Sequence, residues 1–347
     1  MKENRTEKSL KMVKRKKFVK IDKKFEVDKM IDSLLKGSRT ELAKAITLVE
    51  SVRNEDRDVA KELLEKVLPS IGKSIRIGIS GVPGAGKSTF IESFGMMLCE
   101  LGYHVAVLAI DPSSARTGGS ILGDKTRMEQ LSSHPNAFIR PSPTSGTLGG
   151  VHQMTRESIM LCEAAGFDVI IVETVGVGQS ETAVRNMVDF FMLLVLTGAG
   201  DDLQGMKKGI MEITDAIIVH KADGDNVRPA KRTVREYKRI LHFLQRATPD
   251  WDSIVLPVSS IENNGHDEVW KEIVHFKNKM QQNGYWEIRR REQISSWFHD
   301  MIRQRLIDEF LNEQNNKREI TKLDEQIQSG KLSVSKAMDL LFKGKTI

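Results

Sequence analysis

At 347 residues the chain is long enough to bury a large core, and its two cysteines, Cys99 and Cys162, are too few for a disulfide framework or a cysteine metal cluster. Its formal charge of +6 resembles a nucleic-acid signal, but residues 1–24 alone hold eleven Lys or Arg against three acids, and the rest is near −2, with 42 basic against 44 acidic residues. The excess lies around Lys14, Arg15, Lys16 and Lys17 with no aromatic platform beside it, which predicts a solvated basic tail and no nucleic-acid partner. No apolar run approaches the roughly 18 residues of a membrane span, so no membrane partner is expected either, and the absence of a signal core predicts a cytoplasmic protein.

In chain order, residues 25–72 show helical spacing, with Ile31, Leu34 and Leu35 followed by Leu42, Ala45, Ile46 and Val49, and are predicted to form an N-terminal helical extension. From residue 73 to 265 the pattern changes to short β-branched runs alternating with amphipathic stretches: IRIGISG from 75, HVAVLAI from 104, DVIIVE from 168, FFMLLVL from 190, DAIIVH from 215 and SIVLPVS from 253. This predicts an α/β domain with a mostly parallel central sheet flanked by helices. Residues 266–347 return to helical spacing, broken at Asn283-Gly284 and Ser329-Gly330. Trp286, Ile288, Ile294, Trp297, Phe298 and Ile302 there are expected to pack on the sheet domain or on a second copy of the chain.

The first stretch that carries chemistry is GVPGAGKST, comprising Gly81, Val82, Pro83, Gly84, Ala85, Gly86, Lys87, Ser88 and Thr89. It matches the phosphate-loop pattern G-x-x-x-x-G-K-[S/T] and lies between a predicted strand and a predicted helix, as the chemistry requires. The glycines let successive backbone N–H groups turn toward phosphate oxygens, and the helix N-terminus favours an anion. Lys87 is placed to reach the β- and γ-phosphates, and the Ser88 hydroxyl to ligate Mg²⁺. A metal-nucleotide site also needs carboxylates at the carboxyl ends of neighbouring strands, where open α/β sheets bind ligands. Asp111 follows HVAVLAI and Glu173 follows DVIIV, so either is a candidate for Mg²⁺, directly or through water.

Glu173 opens ETVGVGQSE, in which the N–H of Gly176 is expected to sense the γ-phosphate, a switch that releases when the phosphate is lost. Val177 follows Gly176 where many GTPases carry a water-orienting Gln, which predicts slow intrinsic hydrolysis. HKADGD from 220 resembles the Asn/Thr-Lys-x-Asp element that reads guanine, with His220 in the place of Asn or Thr. The Asp223 carboxylate can accept from both the ring N1–H and the exocyclic amine of guanine, and the Lys221 stem can cover the base. Backbone donors at Ser259, Ser260 and Ile261 are expected on the guanine carbonyl. The nucleotide predicted is therefore GTP, with GDP as product.

As an ordered set, GVPGAGKST, AIDPSS from 109, TGGSILGDKTRM from 117, VETVGVGQSE from 172, GAGDDLQGMKKGI from 198 and HKADGDN from 220 resemble the MeaB/ArgK family of P-loop GTPases across most of residues 28–343. The resemblance implies a chaperone that couples GTP binding and hydrolysis to cofactor loading and protection of an adenosylcobalamin-dependent acyl-CoA mutase such as methylmalonyl-CoA mutase. It implies a first switch over 111–128, with Asp124 available to the metal or to the attacking water, and a signalling loop over 197–207 with Asp201 and Lys207 as charged contacts. It also implies a homodimer joined through the C-terminal helices. Three other readings remain open, one of them a non-enzymatic nucleotide-binding module, against which the intact Lys87, Ser88, Asp111 and Glu173 argue. A nickel-insertion GTPase would be expected to show a His-rich tract or a Cys/His set, which the eight scattered histidines do not form. A small-molecule kinase linked to amino-acid transport would require an acceptor pocket that no motif here announces.

Overall fold

The computed structural model describes residues 23–51, 53–111, 128–143, 148–174, 181–198 and 208–343. Three helices open it: α1 (Lys23–Leu35), α2 (Arg39–Val49) and α3 (Asn54–Val67). Their spacing puts Leu34, Leu42, Ala45, Ile46, Leu63 and Val67 into one buried face. The Ser38 side chain caps α2 by accepting from the Glu41 N–H, which satisfies one of the donors a helix start leaves over.

The strands are β1 (Ile75–Gly81), β2 (Val105–Asp111), β3 (Ala137–Pro143), β4 (Val169–Thr174), β5 (Phe190–Val195), β6 (Ala216–His220) and β7 (Ile254–Val258). They form one sheet in the order β3-β2-β4-β1-β5-β6-β7, and every pairing is parallel. The helices between them are α4 (Lys87–Glu100), α5 (Glu129–Ser133), α6 (Leu148–Ala164), α7 (Glu181–Arg185), α8 (Lys208–Met211) and α9 (Val227–His242). All residues of β4 and β5 are buried, as a sheet covered on both faces demands. One core lies toward α1–α3, α6 and α9, and a second lies toward α4 with Ile75, Ile77, Ile79, Phe90 and Phe94.

Six of the seven strands coincide with the apolar runs of the sequence. The seventh, β3, does not, because AFIRPSP carries two prolines and an arginine. Proline cannot donate to a ladder and is confined to sheet edges, and β3 is one of the two edge strands, paired among the described residues with β2 alone.

Four more helices follow: α10 (His266–Gln282), α11 (Tyr285–Asn312), α12 (Gln314–Gln328) and α13 (Val334–Phe342). Gly284 at φ 73° and Gly330 at φ 70° mark the two breaks read from the sequence. The first turns of α11 are fastened to the sheet. Arg290 donates to the Gly72 and Ser74 carbonyls at 2.6 Å each and to Asp189, and its guanidinium lies 4.6 Å from the Trp286 ring centroid. Arg289 and Gln293 both donate to the Val188 carbonyl, at 3.0 and 2.8 Å. Of the residues expected to pack on the sheet domain or on a second copy, Trp286 is buried on the sheet domain, whereas Ile288, Ile294, Phe298 and Ile302 are exposed, as is Leu306 further along. No described helix is long and apolar enough to cross a membrane.

Candidate active site

The chain leaves β1 at Gly81 and enters α4 at Lys87, so the phosphate-loop sequence spans a tight connection at the carboxyl edge of the central strand. Neighbours dictate its glycines. A Cβ on Gly81 would stand 2.6 Å from the Leu194 carbonyl oxygen on β5, and one on Gly86 would stand 2.8 Å from the His220 ring, where φ is already +83°. Ala85 is fully buried, and its N–H donates to the Val82 carbonyl at 3.1 Å. Pro83, Gly84 and Thr89 face outward.

Lys87 is buried, with its ammonium donating to the Gly81 carbonyl at 3.0 Å. Burial pulls its pKa below the usual lysine value, while the charges of Glu173 and Glu181 oppose that shift. Glu173 stands near the end of β4, beside β1, and Ser88 Oγ donates to its carboxylate at 3.5 Å. The buried pair of Thr174 and Ser80 hydroxyls, 2.8 Å apart, ties the same two strands together. Lys87, Ser88 and Glu173 therefore converge on one edge of the sheet. Asp111 closes β2, the next strand beyond β4, and its backbone alone is described. Asp124, Gly176, Asp201 and Lys207 lie outside the described residues.

The base-reading residues collect at the ends of β6 and β7. Asp223 Oδ2 accepts from Ser259 Oγ at 2.8 Å, which aligns one carboxylate oxygen. Lys221 is exposed and holds a left-handed backbone at φ 58°, and Asn226 fixes it by donating to the Lys221 carbonyl at 2.5 Å. Thr197 donates to Asn226 at 2.6 Å, which links this turn to the end of β5. The Ser259 N–H donates to the Asn264 carbonyl at 3.0 Å, so this donor serves a turn and not a ligand. Ser260 is buried, whereas Ile261 is 79% exposed.

His220, which stands in the place of Asn or Thr in the base-reading element, is held at both ring nitrogens. It is buried, with Nδ1 at 2.7 Å from the Ala85 carbonyl and Nε2 at 2.8 Å from Ser260 Oγ. Sequence reasoning missed three contributors: His266, whose Nε2 is 3.2 Å from Ser260 Oγ; Asn226; and the Ser80–Thr174 pair. Asn226 closes the HKADGDN stretch and could have been suspected as a turn-forming Asn, whereas His266 has no sequence signature.

A seven-stranded parallel sheet with this connection between its central strand and α4 defines a P-loop nucleotide hydrolase. The family model described as "Methylmalonyl Co-A mutase-associated GTPase MeaB" matches residues 42–315, and the chain belongs to that family. Among relatives, the Escherichia coli protein named "GTPase ArgK" is 48% identical over 284 residues, covering 82% of this chain and 86% of the relative. The Mus musculus "Methylmalonic aciduria type A homolog, mitochondrial" is 46% identical over 327 residues, covering 91% and 79%. A solved structure titled "Crystal structure of LAO/AO transport system kinase" superposes with a TM-score of 0.74 at 36% identity over 92% of this chain and 97% of that one. The protein is accordingly a GTPase with guanine-nucleotide binding as its chemistry.

Proposed function

We propose that this GTPase assists cofactor loading and protection of an adenosylcobalamin-dependent acyl-CoA mutase, with methylmalonyl-CoA mutase as the leading client. The family match over residues 42–315, to a description that names mutase association, is the observation that carries this reading. The mouse relative named for methylmalonic aciduria supports it. Residues 81–89 are the proposed phosphate cradle, with Lys87 turning from the Gly81 carbonyl to the β- and γ-phosphates. Ser88 with Glu173 fits a hard cation, since both offer oxygen and stand within 3.5 Å of each other, and Asp111 would complete the set. Mg²⁺ bound there would neutralise phosphate charge. Asp223, aligned by Ser259, is the proposed guanine reader; Gly176 is proposed to sense the γ-phosphate, Asp124 to serve the metal or the attacking water, and Asp201 and Lys207 to signal nucleotide state to the client. The two cysteines, both free and buried, suit a reducing compartment such as the cytoplasm.

The test is calorimetric titration with Mg-GTP and Mg-ATP, repeated beside a candidate acyl-CoA mutase while phosphate release is followed. GTP preference and mutase-stimulated hydrolysis are expected. Indifference to every such mutase would discard the chaperone role and leave the GTPase standing. Asp223→Asn should weaken GTP by about 1–3 kcal/mol, the cost of stranding a buried polar partner. Unchanged affinity in that variant would remove Asp223 from the site.

A further inference from the structure

Four residues from three separate stretches of the sequence form one hydrogen-bonded line: Ala85 in the phosphate loop, His220 at the end of β6, Ser260 after β7 and His266 at the start of α10. Its direction follows from what each atom can do. The Ala85 carbonyl only accepts, so His220 Nδ1 carries a hydrogen and donates at 2.7 Å. Nε2 of a neutral ring then accepts from the Ser260 hydroxyl at 2.8 Å, and the Ser260 oxygen can accept in turn from His266 Nε2 at 3.2 Å. Burial holds both imidazoles below their ordinary range and so favours the neutral rings this pattern needs; the neighbouring charges are Lys221 and Asp223 for His220, and Asp267 for His266. Because a trans peptide points its N–H opposite its C=O, anchoring the Ala85 oxygen on His220 directs the Gly86 N–H away from the ring. The ring also touches the place a Gly86 Cβ would take, so contact and hydrogen bond fix the same peptide.

We propose that His220 is a positioning residue for nucleotide binding: held by Ser260 and His266, it locks the Ala85–Gly86 peptide of the phosphate loop to the base-side loop, so that phosphates and base are gripped by one rigid unit. Loss of the lock frees the peptide and speeds nucleotide release. An amide at this position could also donate to Ala85 and accept from Ser260, whereas a hydrocarbon could do neither. The inference rests on the reading of residues 81–89 and Asp223 as two ends of one GTP site.

The experiment is release of N-methylanthraniloyl-GDP by stopped flow, with thermal midpoints measured on the same samples. His220→Ala and His220→Phe should release at least about tenfold faster than the parent, roughly the effect of one hydrogen bond to the site, and His220→Asn should recover most of the difference. Ser260→Ala should speed release alone, and should add little in the His220→Ala background because both act through the same line. Wild-type release from His220→Ala, or recovery by Phe and not by Asn, would overturn the proposal. Should the His220 variants fail to fold, a wild-type release rate in Ser260→Ala would overturn it equally. Asp223→Asn serves as the control: if it keeps the preference for GDP over ADP, the site reading has failed, whereas lost preference beside an unchanged His220→Ala rate refutes the lock alone.

Discussion

His266 sits at the first position of α10 with its ring 5.4 Å from that of Phe90 and 6.4 Å from that of Phe94, and only 3% of it is exposed. Burial among these rings, reinforced by His220, pulls its pKa down to about 4. Unfolding exposes the ring and returns it to its ordinary value near 6.5, so the unfolded chain binds a proton that the folded chain refuses between those two limits. Stability from this group is therefore intact above pH 6.5 and is lost as the pH falls toward 4, by an amount on the order of 2 kcal/mol. The expected result is a steeper fall of the thermal midpoint between pH 6.5 and 4.5 in the parent than in His266→Gln. Parallel curves would show that His266 is not the acid-sensitive group. Such a residue is invisible in a sequence, because a histidine at a helix start carries no pattern that distinguishes a buried ring from a solvated one.

Among the elements, α11 has two personalities along its 28 residues. Trp286, Arg289, Arg290 and Gln293 bind it to the sheet domain, and the run that follows shows Ile294 and Phe298, each 62% exposed, with Met301, Ile302 and Leu306 at helical spacing. Near its end Phe310 stacks on Phe342 of α13, with centroids 4.9 Å apart, so the outer helices brace one another while the stripe stays uncovered. An exposed apolar stripe of this length is the face proposed to bury itself in a homodimer. Phe298→Glu should shift the chain from dimer to monomer in sedimentation equilibrium without lowering its affinity for GTP. A parent chain that is monomeric at every concentration would remove the arm's proposed role. The spacing of Ile294, Phe298 and Ile302 marked an apolar helical face in advance without saying which surface covers it, and the apolar runs ending in Asp111 and Glu173 marked their strands. What could not be read was β3, whose prolines mask an edge strand, and the anchoring of α11, which relies on polar side chains reaching carbonyls made distant in sequence. The phosphate loop was complete in nine consecutive residues, whereas the line from Ala85 to His266 exists only once three strands have brought its members together.

At the scale of the molecule, a buried polar cluster joins the sheet, α7 and the C-terminal arm. Arg185 pairs with Asp215, Thr248 donates to Asp215 at 2.6 Å and receives from Arg185 at 2.6 Å, and Arg289 of α11 donates to Thr248 at 3.2 Å. Burial brings the Arg289 guanidinium down to about 10, which reflects how little water reaches it, with Arg185 adding to the effect and Asp215 and Asp189 opposing it. A buried ion pair contributes little net stability, but removing one partner strands the other, so α7 and the arm are held in a common arrangement.

The position of β1 also has a consequence in time. It is the first strand to be synthesised, yet it lies between β4 and β5, and Gly81 finds its partner only at Leu194. A ribosome must therefore have released more than half of the chain before the strand beneath the phosphate loop gains both neighbours, and until then the loop has no floor to rest on. Chains cut short before Phe190 should leave the ribosome unable to retain labelled GTP, and those extended past Val258, with the base-side strands in place, should acquire that ability in a single step. Retention by the shorter chains would mean that the loop can shape itself without its sheet.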